Sequence, residues 1–225
     1  MSNYIVLITA DNPWYEQFAE SNALVFDMER DEPFEGRKSE YRNCDAIIDI
    51  ANIDPDRKLS FLKYLDFEFQ KPIISDLTLY WGDFYLEQIA NLEGAISLLF
   101  HSEGNSFEAY KESEIASKAI EWISTVVGKK ELYVSKPGLG FTYPRTLVMI
   151  INEAFYALED GMATPEDMDR AMKYGVNYPA GPFEWLSKIG PKPILQLLDE
   201  LFNVTGDQRY RASKLLRLEA NQYEV

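Results

Sequence analysis

Short, uninterrupted apolar runs alternate with helical periodicity through the first 130 residues, and helical periodicity alone follows. Tyr4–Thr9, Ala23–Phe26, Cys44–Ile50, Pro72–Ser75 and Gly94–Phe100 read as strands, with Leu132–Val134 as a last one. Between them, Pro13–Ser21 and Asp56–Phe67 read as helices, the latter with Leu59, Leu62 and Leu65 spaced along one face. Glu112–Val127 repeats the pattern, placing Ile115, Ala119, Trp122, Ile123 and Val126 on one side. Continuously apolar strands separated by helices imply a parallel sheet covered on both faces. The charged segment Asp27–Asn43, with Pro33 and Gly36, breaks this rhythm and reads as a solvated connection.

The character changes at Lys136-Pro137-Gly138-Leu139-Gly140, a hinge-like stretch. Beyond it, Leu147, Ile150, Ile151, Ala154, Phe155 and Leu158 follow helical spacing, and Gly161 stands where a helix terminates. Thr164-Pro165-Glu166-Asp167 opens a new helix, with Thr164 as N-cap, Pro165 in the first turn and two acids at the positive dipole end. Gly175 closes it; Pro182–Ile189, stopped by Gly190, and Pro193–Phe202 are two further helices. The expected architecture is a Rossmann-like α/β domain with a shortened parallel sheet over residues 1–137. An all-α domain over 138–225 completes it.

Composition narrows the chemistry. The 225 residues carry 22 Lys+Arg against 37 Asp+Glu, a formal charge of −15, which disfavours nucleic-acid partners. One cysteine excludes an internal disulfide or a Cys-rich zinc site, and one histidine excludes a His-clustered metal centre. No metal site is expected. A single histidine still permits acid–base catalysis. No apolar run approaches the roughly 20 residues that span a bilayer, and Met1-Ser2-Asn3-Tyr4 lacks the basic start of a secretion signal. A cytoplasmic protein with a buried, reduced Cys44 is expected.

The second half carries a resemblance. Gly140-Phe141, Arg145, Asn152-Glu153-Ala154 and Gly161–Asp169 are similar to the C-terminal domain of 3-hydroxyacyl-CoA dehydrogenases, in particular the short 3-hydroxybutyryl-CoA-dehydrogenase-like members. Ala171–Gly175, Pro179-Ala180-Gly181-Pro182-Phe183-Glu184 and Thr205–Arg211 continue it. The resemblance implies a helical domain that pairs two copies into a homodimer and helps form an acyl-CoA cleft. It also implies NAD as cofactor, bound by the first half.

That first half departs from the family pattern. The phosphate-binding motif after the first strand needs three glycines, so that backbone can approach a pyrophosphate at a helix N-terminus. Thr9, Asp11 and Trp14 stand there instead. The candidate cofactor residues are therefore Thr9 and Ala10 in that turn and Asp27, at the place of the ribose-binding acid. Among candidate catalytic residues, Glu108 matches the family glutamate and Thr78 its Ser/Thr hydroxyl. Counting back twelve from Glu108 puts Ile96 where the family has its histidine base, and the family asparagine falls on Pro144. His101 lies five residues past the base position, and an odd offset along a strand turns a side chain to the opposite face. It is accordingly read as a strand-end or loop residue in the first instance and as a displaced base in the second. These losses lean towards a non-catalytic binding or assembly homologue over a divergent dehydrogenase. Lys129, Lys130, Arg209, Arg211, Lys214 and Arg217 are the cations a CoA phosphate could meet.

Overall fold

A computed structural model describes residues 3–101 and 104–222. The chain divides into two compact units, Met1–Phe141 and Thr142–Val225.

The first unit is a seven-stranded sheet in the order β2-β1-β3-β4-β5-β6-β7. The strands are β1 (Tyr4–Ile8), β2 (Leu24–Asp27), β3 (Ala46–Asp49), β4 (Ile73–Asp76), β5 (Leu92–Ser97), β6 (Ser106–Lys111) and β7 (Glu131–Val134). Strands β1 to β5 are mutually parallel, whereas β6 runs antiparallel to β5 and parallel to β7. The sheet is therefore mixed, where the sequence implied a purely parallel one. The extra strand is β6, whose Ser-Phe-Glu-Ala-Tyr-Lys run carries too little apolar character to announce itself. One face packs Tyr4, Val6 and Ile8 with Ile48, Ile74 and Ile96 against α1 (Tyr15–Ala19) and α5 (Glu114–Val126).

The opposite face receives α2 (Lys38–Asn43), α3 (Pro55–Phe69) and α4 (Gly82–Gln88). In α3, Asp54 accepts the Asp56 N–H at 3.0 Å, Pro55 opens the first turn, and Gln70 ends the helix at a φ of 50°. The segment Asp27–Asn43 is solvated only in part: Glu29–Glu32 are exposed as expected, but the rest is anchored. It forms α2, buries Pro33 and Tyr41, and sets the Phe34 ring among Tyr41, Phe61, Tyr64 and Phe69 at centroid distances of 5.2–6.2 Å. Aromatic contacts of long sequence separation hold it down, which local composition does not reveal.

The Gly/Pro stretch before residue 142 is fastened to the first unit. Asp83 donates its N–H to Gly138 O and accepts the Gly138 N–H at 3.1 Å, Gly140 N–H donates to Tyr80 O, and Leu139 bridges Trp81. The first compact unit accordingly runs through Phe141.

The second unit holds α6 (Thr142–Glu159), α7 (Pro165–Arg170), a π-helical turn (Ala171–Gly175), α8 (Pro182–Ile189), α9 (Pro191–Thr205) and α10 (Lys214–Gln222). Its core joins Leu147, Val148, Ile151 and Phe155 of α6 to Leu197, Leu198 and Leu201 of α9 and Leu216 of α10. Thr164 caps α7 by accepting the Asp167 N–H at 3.2 Å, and Glu184 reaches back to the Gly181 N–H at 3.1 Å. Among the described residues no helix is long and apolar enough to cross a membrane.

Candidate functional site

Strand β1 lies between β2 and β3, so the chain leaves it first to one side and then to the other. In open α/β sheets the crevice at the carboxyl ends of such strands is where ligands sit. Here that crevice is lined by Asn12, Ile50, Ala51, Asn52, Asp76, Leu79, Tyr80 and Leu99, and its free volume is about 10 Å³. That is room for one water.

The chain's own groups account for the filling. The Asn12 side chain donates to Ile50 O at 3.1 Å, sewing the β1 loop to the end of β3. Its carbonyl oxygen accepts the Trp14 N–H at 3.0 Å, while the Asn12 and Tyr15 N–H groups donate to Thr9 O and Asn12 O. Three backbone donors of the loop are thereby spent inside it. Thr9 donates its hydroxyl to Asp11 at 2.5 Å, and Ala10 forms the adjoining turn. Trp14 does not lie in the crevice. It is 6% exposed, packs into the core, donates its indole N–H to Leu98 O at 3.2 Å, and carries Lys129 Nζ 5.0 Å from a ring centroid. Helix α1, at five residues, offers no extended N-terminus to an anion.

Asp27 ends β2 as the sequence indicated, but it caps its own loop. Its Oδ1 accepts the Glu29 N–H at 3.0 Å, and Arg30 Nε stands 3.5 Å from Oδ2.

Beyond the crevice, the ends of β4, β5 and β6 bring the candidate catalytic residues together. Glu108 on β6 is paired across the strands with Ser97, while Ile96 pairs with Ala109 and lies fully buried in the core on the other face. Ser97, not Ile96, thus faces Glu108. His101 stands beyond the end of β5 in a turn closed by its N–H to Leu98 O, so strand parity does not govern it. Its Nε2 lies 3.9 Å from Glu108 Oε2, and both residues are 6% exposed. Thr78 donates its hydroxyl to Asp76 Oδ1 at 2.5 Å, with Ser97 Oγ 3.1 Å away; Asp76 Oδ2 accepts the Leu98 N–H. Burial pushes the Asp76 carboxyl above its ordinary range, against the hydrogen bonds from Thr78. Pro144 lies in the first turn of α6, where a backbone N–H would lack a helical partner in any case.

One buried group escaped the sequence reading altogether. Lys58 of α3 lies 2.6 Å from Asp49 Oδ2 and donates to Ala51 O at 2.8 Å, with both side chains wholly shielded from solvent. Ser75 donates to the same carboxylate at 2.7 Å, and the Tyr80 ring covers the ammonium at 5.2 Å. The signal was present: an acid inside the apolar run Cys44–Ile50, and a lysine on the same helix face as Leu62 and Leu65.

The cations considered for phosphate are mostly engaged. Arg209 pairs with Asp207 at 2.7 Å, Arg217 pairs with Asp199, and Arg211 donates to the Tyr156 hydroxyl at 3.3 Å. Lys129 is buried, which lowers its pKa, and donates to Gly104 O at 2.9 Å; Lys130 and Lys214 are exposed. Among the described residues no cluster of three or more His, Cys, Asp or Glu is placed to hold a metal ion.

Comparison with known proteins separates the two halves. Residues 140–223 match the 3-hydroxyacyl-CoA dehydrogenase C-terminal domain. The chain is 50% identical over 76 residues to the 3-hydroxyadipyl-CoA dehydrogenase of Escherichia coli (strain K12), covering 34% of this chain and 16% of that protein. It is 35% identical over 112 residues to the 3-hydroxybutyryl-CoA dehydrogenase of Clostridioides difficile, covering 49% and 40% respectively. These alignments span less than half of each relative. The crystal structure of (S)-3-hydroxybutyryl-CoA dehydrogenase from Ralstonia eutropha superposes with a TM-score of 0.72 at 21% identity, over 99% of this chain and 95% of that one, which shows a shared fold.

Proposed function

We propose that the chain, whose residues 140–223 match the 3-hydroxyacyl-CoA dehydrogenase C-terminal domain, is a non-catalytic member of that family acting as a binding or assembly protein. The observation that supports this reading is the filled crevice. A dinucleotide pyrophosphate needs unspent backbone N–H groups at a helix start, whereas Asn12 ties that loop to Ile50 and the loop consumes its own donors. Asp11 adds a carboxylate where phosphates would come. The residues present do not fit the cofactor, and we derive no hydride-transfer step through it. In the strand register it is Ser97 that pairs with Glu108, which adds to this reading.

The family resemblance further supports pairing of two copies through the C-terminal helices. Apolar Tyr174, Val176 and Leu218 are exposed on the helical unit and give such pairing something to cover. Acyl-CoA as a ligand would have Lys130 and Lys214 as exposed cations. The single reduced, buried cysteine suits a cytoplasmic setting.

A second reading rests on His101 lying 3.9 Å from Glu108. In it, the loop after β5 has carried a displaced imidazole back to the glutamate, and the protein is a divergent NAD-dependent oxidoreductase of short 3-hydroxyacyl-CoA. The two readings part on one assay. Purified protein mixed with acetoacetyl-CoA and NADH is followed by nicotinamide absorbance. No turnover is expected, and turnover abolished by His101→Gln would establish the second reading.

A further inference from the structure

The two units treat their sulfur atoms in opposite ways. Cys44, the chain's one thiol, is 2% exposed, donates to Tyr41 O at 3.2 Å, and is pushed by burial up to about 11. Reaction with a peroxide needs an accessible thiolate, so Cys44 is a poor target. A methionine sulfur has no proton to lose, and access governs its oxidation. Four of the chain's six methionines fall between residues 149 and 172. Met162 is 74% exposed. The other three, Met149 of α6, Met168 of α7 and Met172 of the π-helical turn, are half-buried and line one groove of about 460 Å³. A water takes about 30 Å³ in the liquid, so a peroxide enters such a space freely.

The lining decides what a sulfoxide would do there. Ile150 and Pro182 are apolar, and Glu153, exposed on the rim, is the only polar side chain among the described residues of the wall. A carboxylate accepts hydrogen bonds and donates none. A sulfoxide oxygen is likewise an acceptor, so in this wall it finds no side-chain donor and faces a like partial charge. A half-buried acceptor left unpaired opposes packing. One methionine comes from each of three successive elements, so all three walls of the groove feel the change. At Met162, by contrast, water solvates the new oxygen at no such cost.

We propose that Met149, Met168 and Met172 form a peroxide-oxidation site whose sulfoxides loosen α7 and the π-helical turn from α6. In each event the peroxide O–O bond breaks and one oxygen joins the methionine sulfur, while the other leaves as water with both hydrogens. The sulfur loses two electrons and the peroxide gains them. The inference goes beyond the reading of the chain as a binding protein and does not depend on the crevice of the first unit.

The test treats the full chain with hydrogen peroxide at neutral pH, maps the oxidised residues by peptide mass spectrometry, and follows amide hydrogen exchange. Met149, Met168 and Met172 should be oxidised while Cys44 is spared. Exchange over residues 165–175 should then quicken by about tenfold, with the sheet of the first unit unchanged. Replacing Met149, Met168 and Met172 together by Leu conserves volume and should abolish the response, whereas Met162→Leu should leave it intact. Glu153→Lys puts a donor on the rim and should reduce the response severalfold, which plain bulk at the sulfur would not explain. Oxidation confined to methionines outside the groove would overturn the proposal. So would sulfoxides in the groove without faster exchange, or a Leu-substituted chain that responds like the native one. Each of these outcomes leaves the nicotinamide assay unaffected.

Discussion

Replacing Lys58 with methionine tests how the first unit is held together. The change keeps most of the side-chain volume but removes a cation buried completely against Asp49, 2.6 Å away. Asp49 is left in the interior with only the Ser75 hydroxyl at 2.7 Å and the Ala51 N–H at 3.2 Å. Ala51 O loses its donor as well. Breaking a buried pair on one side strands a charge and costs about 3–5 kcal/mol, whereas replacing both partners by neutral groups is close to neutral. Against a typical total of about 5–15 kcal/mol, that is a large fraction. Urea unfolding followed by tryptophan fluorescence is the assay, because Trp14, Trp81 and Trp122 lie in the first unit and Trp185 alone in the second. With a slope of about 2–3 kcal/mol/M, the midpoint should fall by about 1–2 M. Lys58→Met with Asp49→Asn should recover most of the loss. A single variant costing under about 1 kcal/mol, or a double variant worse than either single one, would refute the assignment of a structural ion pair.

Two further outcomes follow from individual side chains. Cys44 is buried and donates to Tyr41 O at 3.2 Å, and burial pushes its thiol from about 9 up to about 11. Native protein should therefore resist alkylation at pH 8 until urea unfolds it. Because the folded pKa is raised, the thiol's contribution is complete below about pH 9 and is lost as pH rises towards 11; Cys44→Ala should show a shallower alkaline loss of stability than the native chain. Gly82→Ala would drive a Cβ into the Pro137 ring. It should lower stability by about 1–3 kcal/mol in the same urea titration, and an unchanged midpoint would show that Lys136–Gly140 is not fastened to α4.

The elements read most directly from sequence are those with local punctuation. Thr164-Pro165 starts α7 and Gly181-Pro182 starts α8, because caps and first-turn prolines act within a few residues. Where the outcome depends on distant partners, the sequence reads differently from the fold. The charged stretch Asp27–Asn43 looks solvated until Phe34 and Tyr41 meet aromatic residues of α3. The same holds for the candidate site. A count of twelve residues lands on Ile96, but the antiparallel β5–β6 register, invisible to counting, turns Ser97 towards Glu108. His101 reaches Glu108 from a turn, where strand periodicity has no meaning. That Thr9, Asp11 and Trp14 are not glycines is plain in the sequence, whereas the tie across the loop is made by Asn12, whose amide reaches Ile50 across 38 positions.

The occupancy of that crevice is the central claim, and a melting experiment with NADH addresses it most directly. A ligand held at 100 times its dissociation constant stabilises the native state by roughly 2.7 kcal/mol. The filled crevice predicts no rise in melting temperature across millimolar NADH, and Asn12→Gly, which cuts the tie to Ile50, should leave that result unchanged because the loop still lacks its phosphate-binding geometry. A saturable rise in the native chain would contradict the account.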